Sequence, residues 1–217
     1  MGLTNKLAGR KLKLMLARLY WVASPGPNER DFLPRVQRAL NGGVEVLQLR
    51  CKEWEAQDYL RLAEQVLPLA RSYGVPFFLN DRPDLAALVG ADGVHLGQGD
   101  LTPKQARRFF SGLIGRSSHA PHEAEAVLDE EVTYVACGPV YPTPTKPGRP
   151  AAGLEYIAWA AENLGDLPWF AIGGINLTNL AEVLQAGARR VVVVRAIQEA
   201  PDPEAAARAL RQELEQW

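Results

Sequence analysis

The sequence predicts an α/β fold: a single (β/α)8 TIM barrel over residues 19–217, behind a short basic N-terminal extension at residues 1–18. Three observations predict it. Short apolar runs alternate with helical stretches eight times, which demands a parallel sheet with crossover helices. The runs are rich in Val, Ile, Leu, Tyr and Phe, as strands covered on both faces should be. After the first run, Ser24 leads into Pro25-Gly26-Pro27-Asn28, without the glycine fingerprint that an open doubly wound sheet carries there. The barrel is the better account, and 217 residues lie at the lower end of its size range.

The expected strands are Leu19–Ser24, Glu45–Arg50, Pro76–Asn80, Gly93–Leu96, Leu113–Arg116, Thr133–Cys137, Trp169–Ile172 and Arg190–Val194. Between the second and third, residues 54–73 place Tyr59, Leu62, Val66, Leu69 and Tyr73 on one helical face. Pro68 is expected to kink that helix and Gly74 to stop it. Near the C-terminus, Asp202 caps a helix that starts at Pro203, with Glu204 favouring the same end. The first 18 residues carry Lys6, Arg10, Lys11, Lys13 and Arg18 with no acid, interleaved with Leu12, Leu14, Met15 and Leu16. Neither an uninterrupted apolar segment nor a small-residue cleavage site accompanies them, so a basic amphipathic helix over one end of the domain is expected.

Composition excludes several classes. With 47% hydrophobic and 23% charged residues the chain can bury a full core without a metal or disulfide staple. A formal net charge of −1 gives no overall pull toward nucleic acid or an anionic membrane. Cys51 and Cys137 are far apart and lack metal-ligand spacing, which suits a reducing, cytoplasmic setting. Apolar stretches such as 75–79 and 191–194 are far too short to span a bilayer.

In a barrel the chemistry belongs to the C-terminal ends of the strands and the loops that follow them. The second strand runs into Gln48-Leu49-Arg50-Cys51-Lys52. If extension persists to residue 52, Gln48, Arg50 and Lys52 share a face and form an anion clamp. The plain alternative is a surface salt-bridge patch with Glu53 and Glu55. The third strand ends at Asn80-Asp81, and Asp100 follows the fourth within Gly97-Gln98-Gly99-Asp100. Two carboxylates on neighbouring strand ends suit a Mg²⁺ that keeps waters and shares phosphate oxygens. Asp81 could instead pair with Arg82, and Asp100 could cap the helix at Thr102-Pro103. Ser117, ending the fifth strand, offers a hydroxyl.

The loop from Gly138 to Gly153 is the longest, and its Thr143-Pro144-Thr145-Lys146-Pro147-Gly148-Arg149 sets hydroxyls and cations on a proline-stiffened segment. A lid that brings Lys146 over a phosphate is one reading, a solvent loop the other. Gly173-Gly174 ends the seventh strand and Val194-Arg195 the eighth, the recurrent phosphate site of this fold. His95, His119 and His122 are the only histidines, and their spacing forms no metal cluster or nucleophilic triad. His95, inside the fourth strand, reads as a packed residue. The inventory suits departure of a pyrophosphate, where leaving-group charge matters more than moving protons.

These residues, in this order and spacing from about Leu19 to the end, resemble the thiamine phosphate synthase family. The resemblance rests on Gln48 to Lys52, Asn80-Asp81-Arg82, Asp92 to Gln98 with Asp100, Gly138-Pro139 through Lys146, and Ile172-Gly173-Gly174-Ile175. It implies the same barrel and the joining of a hydroxymethylpyrimidine pyrophosphate to a thiazole phosphate, releasing pyrophosphate. It further implies that Gln48, Leu49, Arg50, Cys51, Lys52, Asn80, Ser117 and Lys146 hold the pyrimidine pyrophosphate, with Arg50, Lys52 and Lys146 catalytic. Asp81 and Asp100 would hold Mg²⁺. Thr143, Pro144, Thr145, Gly174, Val194 and Arg195 would receive the thiazole phosphate. A homo-oligomer is compatible with the resemblance.

Three positions depart from the family's usual pattern: Arg195 stands in place of Ser, Cys51 in place of an acidic residue, and position 116 is Arg. The stretch Gly115-Arg116-Ser117-Ser118-His119 is similar to the sister thiazole tautomerases, in which the histidine matching His119 moves protons. A tautomerase, or a barrel that binds phosphate ligands without turnover, are therefore the alternatives.

Overall fold

The computed structural model describes residues 3–26, 29–143, 148 and 150–217. Eight strands pair in sequence order and close into a barrel. They are β1 (Leu19–Ala23), β2 (Val46–Leu49), β3 (Phe77–Asn80), β4 (Gly93–Leu96), β5 (Leu113–Ser118), β6 (Tyr134–Cys137), β7 (Trp169–Ile172) and β8 (Val191–Val193). All neighbours are parallel, and Leu19 pairs with Val191 to shut the cylinder. Each expected strand is present, with ends displaced by two residues at most.

Helices cover the strands: α1 (Leu3–Leu16), α2 (Phe32–Asn41), α3 (Ala56–Ser72), α4 (Pro83–Val89), α5 (Pro103–Ala106), α6 (Pro121–Leu128), α7 (Gly153–Asn163), α8 (Leu180–Gln185), α9 (Arg195–Gln198) and α10 (Pro203–Glu215). Proline opens α4, α5, α6 and α10, where its missing N–H costs nothing. Asp202 caps α10 as expected, accepting from the backbone N–H of Glu204 and Ala205 at 3.0 Å each. In α3 the buried face is Tyr59, Leu62, Ala63, Val66, Leu67 and Ala70. Leu69 is partly buried at its edge and packs against the core, whereas Tyr73 is exposed, so the expectation fails at Tyr73. The 3.6-residue period carries the stripe through Ala63 and Ala70 instead, and the Tyr73 hydroxyl donates to Asn41 Oδ1 at 2.6 Å. The helix continues through Pro68, which lies on its exposed side.

Strand alternation divides the core into two layers. Outward side chains such as Trp21, Leu47, Leu49, Phe77, Leu79 and Leu96 pack under the helices. Inward ones, including Tyr20, Val22, Val46, Phe78, Tyr134, Phe170 and Val192, fill the cylinder. Glycine admits the large rings: a Cβ on Gly93 would lie 2.1 Å from the Phe78 ring, and one on Gly115 2.1 Å from Tyr134. The N-terminal end of the cylinder is closed by α1. Its Leu14, with Ala17 just beyond, joins the interior cluster, while Arg10 pairs with the buried Asp92 carboxylate just before β4. Lys13 Nζ adds a hydrogen bond to the Gly74 carbonyl at 2.6 Å. The opposite end is left for function.

Candidate active site

At that open end β2 stops at Leu49, and Lys52 and Glu53 form a turn with Glu53 at φ 68°. Extension therefore does not persist to residue 52. Both cations nonetheless reach one cavity, lined by Arg50, Lys52, Asn80, Asp81, His95, Asp100, Ser117 and His119 among others. The strand ends are fixed from behind by Tyr59 of α3: its hydroxyl donates to the Leu49 carbonyl at 2.6 Å and accepts from Asn80 N–H at 2.9 Å. Gln48 lies one layer deeper, inside the barrel, with Nε2 donating to the Tyr20 hydroxyl at 2.7 Å. Leu49 and Cys51 turn their side chains into the helix layer. Neither residue lines the cavity.

The alternatives for the two aspartates do not apply. Arg82 pairs with Asp84, at 2.9 and 2.5 Å, and leaves Asp81 to the cavity. Thr102 caps α5, with a reciprocal bond from Gln105. Asp100 instead accepts from Gly97 N–H at 2.6 Å. Asp81 is held at φ 63°, a conformation that costs a non-glycine residue energy and that aspartate tolerates better than most. Burial, then a hydrogen bond and charge repulsion from Asp100, push the Asp81 carboxyl up to about 6, opposed by Lys52 and Arg50. Among the described residues no ion pair joins Arg50 or Lys52 to Glu53 or Glu55. Two touching carboxylates that resist sharing full charge form a donor set for a hard cation. No group of three metal-ligating side chains occurs among the described residues, so such a cation would draw its other ligands from water or phosphate.

Arg116, buried on the outer side of β5, braces this region by donating to the Gly97 carbonyl at 2.7 Å. Its Nε stands 3.4 Å from Glu130 Oε2. The departure at position 116 thus supports the loop that carries Asp100.

A second cavity adjoins the first and shares Ser117 and His119 with it. Thr143, Gly174, Val194 and Arg195 all line it, beside apolar Pro139, Ile172 and Val192. The segment after β6 is tied to β7: Val140 N–H donates to the Ile172 carbonyl at 2.8 Å and Tyr141 N–H to Gly173 at 3.0 Å. Gly173, at φ 108°, permits this crossing, since a Cβ there would sit 2.4 Å from Pro139. Arg195 is half-exposed, 3.9 Å from Glu199. Pro144, Thr145 and Lys146 lie outside the described residues.

Sequence reasoning passed over two features. His95 is buried, as expected of a packed residue, yet its Nε2 lies 2.8 Å from Ser117 Oγ and its ring lines the cavity. His119 Nδ1 meets Glu123 Oε2 at 2.7 Å, and the same oxygen accepts the His119 backbone N–H. The i, i+4 spacing of that pair was the available signal.

The mouth of the closed barrel thus carries two adjoining cavities, one with two cations and a carboxylate pair and the other with a glycine wall, at the end where (β/α)8 proteins place their sites. Comparison with known proteins narrows the class. The family model described as thiamine monophosphate synthase matches residues 19–197, and the chain belongs to that family. It is 67% identical over 202 residues to the thiamine-phosphate synthase of Thermus thermophilus, covering 92% of this chain and 98% of that one. With the thiamine-phosphate synthase of Deinococcus radiodurans it shares 53% identity over 207 residues, 92% of this chain and 74% of the relative. A solved thiamine phosphate pyrophosphorylase from Pyrococcus furiosus superposes with TM-score 0.84 at 31% identity, covering 94% of this chain and 98% of that one. An orotidine 5'-phosphate decarboxylase from Pyrococcus horikoshii, at 18% identity and TM-score 0.63, shares the fold alone.

Proposed function

We propose that the protein is a thiamine phosphate synthase: it joins a hydroxymethylpyrimidine pyrophosphate to a thiazole phosphate, or its carboxylated form, in the cytoplasm. The observation that carries this is the pair of adjoining cavities meeting at Ser117 and His119. One is polar and cationic, the other apolar with a glycine wall. They fit a pyrophosphate ester and a heterocyclic monophosphate whose reacting atoms must meet.

In this reading the bond from the pyrimidine methylene carbon to the bridging oxygen breaks, and pyrophosphate leaves with the electron pair. The electron-rich aminopyrimidine supports the resulting methylene cation, and the thiazole nitrogen donates its lone pair to form the new C–N bond. Arg50 and Lys52 stabilise the departing charge, with Lys146 assigned the same task from the sequence. Asp81 and Asp100 are the residues that would hold Mg²⁺, which supplies further neutralisation of the pyrophosphate oxygens. Thr143, Thr145, Gly174 and the Val194-Arg195 backbone orient the second substrate. No protein nucleophile is needed. Residues 19–217 form the catalytic unit, and residues 1–18 are its extension.

The test is a coupled assay of purified protein with both substrates, with and without Mg²⁺. Pyrophosphate release that needs both substrates and the metal is the expected result; its absence, with both ligands shown to bind, rejects the synthase. The His119–Glu123 pair favours a second reading, tautomerisation of thiazole carboxylate phosphate. Metal-independent tautomerase turnover abolished by His119→Ala would support it.

A further inference from the structure

Ser117 and His119 line both cavities, and Ser118 between them belongs to the wall of the second. Alternation along β5 turns the Ser118 side chain into the helix layer, where it is fully buried. There its hydroxyl meets the Tyr156 hydroxyl of α7 at 2.6 Å and donates to the Ala136 carbonyl at 3.3 Å. The Ser118 carbonyl accepts the Gly138 N–H at 3.1 Å. Ser118 thus holds both ends of the loop between β6 and α7: Gly138, where the loop begins, and the start of α7, where it finishes. Ala152 N–H closes the stem by donating to the Pro139 carbonyl at 2.7 Å.

Donor arithmetic gives the bond a direction. The serine hydroxyl has one proton. With that proton directed to Ala136, Tyr156 is the donor of the 2.6 Å bond. Tyr156 is 4% exposed, and burial pushes its phenol far above the ordinary range. Burial likewise raises the Cys137 thiol, 3.6 Å from Ser118 Oγ, to about 11. Both groups stay protonated, so the bond persists at neutral pH without a charge. Trp159 stacks on the Tyr156 ring at 5.9 Å and 22°, which aims the hydroxyl. A short buried bond, pointed by a packed ring, resists displacement.

A shift of the chain at Ser118 carries Ser117 and His119 with it, so the shared wall advances on one cavity as it leaves the other. Most groups assigned to the two ligands sit elsewhere. Arg50, Lys52, Asp81 and Asp100 follow β2, β3 and β4, while Gly174 and Arg195 follow β7 and β8. Such a shift alters how two bound ligands face each other more than how tightly each is held. We propose that Tyr156 is a positioning residue: by its bond to Ser118 it fixes the wall shared by the two cavities and thereby sets the approach of one substrate to the other. The substrates in this statement rest on the proposed function; the bond and the wall do not.

Tyr156→Phe keeps the ring and its stack on Trp159 and deletes only the hydroxyl. Amide exchange of the full chain tests the wall. Exchange at Gly138 should quicken about tenfold in this variant, with the amides of β1 to β3 unchanged. Unaltered exchange at Gly138 overturns the role of the bond, as does quickening throughout the barrel, which means a general loss of stability. Single turnover with both substrates and Mg²⁺ tests the positioning. Its rate constant at saturation should fall about tenfold or more. Calorimetry with inorganic pyrophosphate and Mg²⁺, and separately with thiazole phosphate, should show affinities within about twofold of wild type. An unchanged rate, or affinities lost in proportion to the rate, overturns the positioning role. Ser118→Ala removes the other partner and should repeat the pattern, with the double variant no slower than the slower single. Losses that multiply show that the two hydroxyls do not act as a pair and overturn it. Wild type that binds both ligands without turnover rejects the synthase and the substrates named here, while amide exchange still decides whether Tyr156 holds the wall.

Discussion

Asp81 combines two unfavourable features, a left-handed backbone and a carboxyl facing another carboxyl. Its raised proton affinity, from 3.8 to about 6, has a definite consequence for the metal-free fold. Below about pH 4 the folded and unfolded chains both carry the proton and the Asp81 side chain is uncharged. Between those values the unfolded chain loses it first, so stability falls as pH rises and stays low above about pH 6. Asp100 adds to that penalty, whereas Lys52 and Arg50 reduce it. Asp81→Asn keeps a residue that tolerates positive φ and removes the charge. In chelator-treated protein its Tm should exceed wild type at neutral pH, with the difference fading as pH is lowered to about 4. A lower Tm at neutral pH would mean that the cations outweigh burial and Asp100. Gly173 is the counterpart at the second cavity. Gly173→Ala combines a φ of 108° with a Cβ 2.4 Å from Pro139, so the 138–143 segment must shift. Calorimetry should show thiazole phosphate binding weakened about tenfold or more, for strain of about 1–3 kcal/mol, with inorganic pyrophosphate binding retained.

At the scale of elements, the strands were legible because their apolar runs are buried on both faces and bounded by turn residues. The helix starts at Thr102-Pro103 and Asp202-Pro203 were also visible, because a cap is a local contact. What could not be read was the deeper face of each strand. Tyr20, Gln48, His95 and Tyr134 look unrelated in sequence and meet only because closure brings β1, β2, β4 and β6 around one axis. The end of β2 at Leu49 was equally hidden, because Glu53's turn conformation carries no glycine to announce it. The N-terminal helix shows the same limit. Its basic character was plain, but the Arg10–Asp92 pair joins residues that only the tertiary fold brings together. Leu14 is fully buried in the interior cluster, so Leu14→Ala should cost about 2–5 kcal/mol in urea unfolding. A loss below about 1 kcal/mol would mean that α1 rests on the barrel rather than plugging it.

For the whole molecule, the barrel separates stability from chemistry along one axis, with α1 closing one end and both cavities at the other. Such a layout lets a substitution touch one cavity and spare the other, even though they share Ser117 and His119. Asp100 faces only the cationic cavity, fastened by Gly97 N–H and indirectly by Arg116. Asp100→Ala removes half of the carboxylate pair and leaves Thr143, Gly174 and Arg195 untouched. If that pair manages charge on the departing pyrophosphate, kcat/KM for the pyrimidine substrate should fall by about 100-fold or more, an electrostatic loss of roughly 3 kcal/mol. Binding of thiazole phosphate alone should change by less than about threefold, because Asp100 lines the first cavity and not the second. Equal losses for the two ligands would place Asp100 in general support of the barrel mouth. An unchanged kcat/KM would take it out of the reaction altogether.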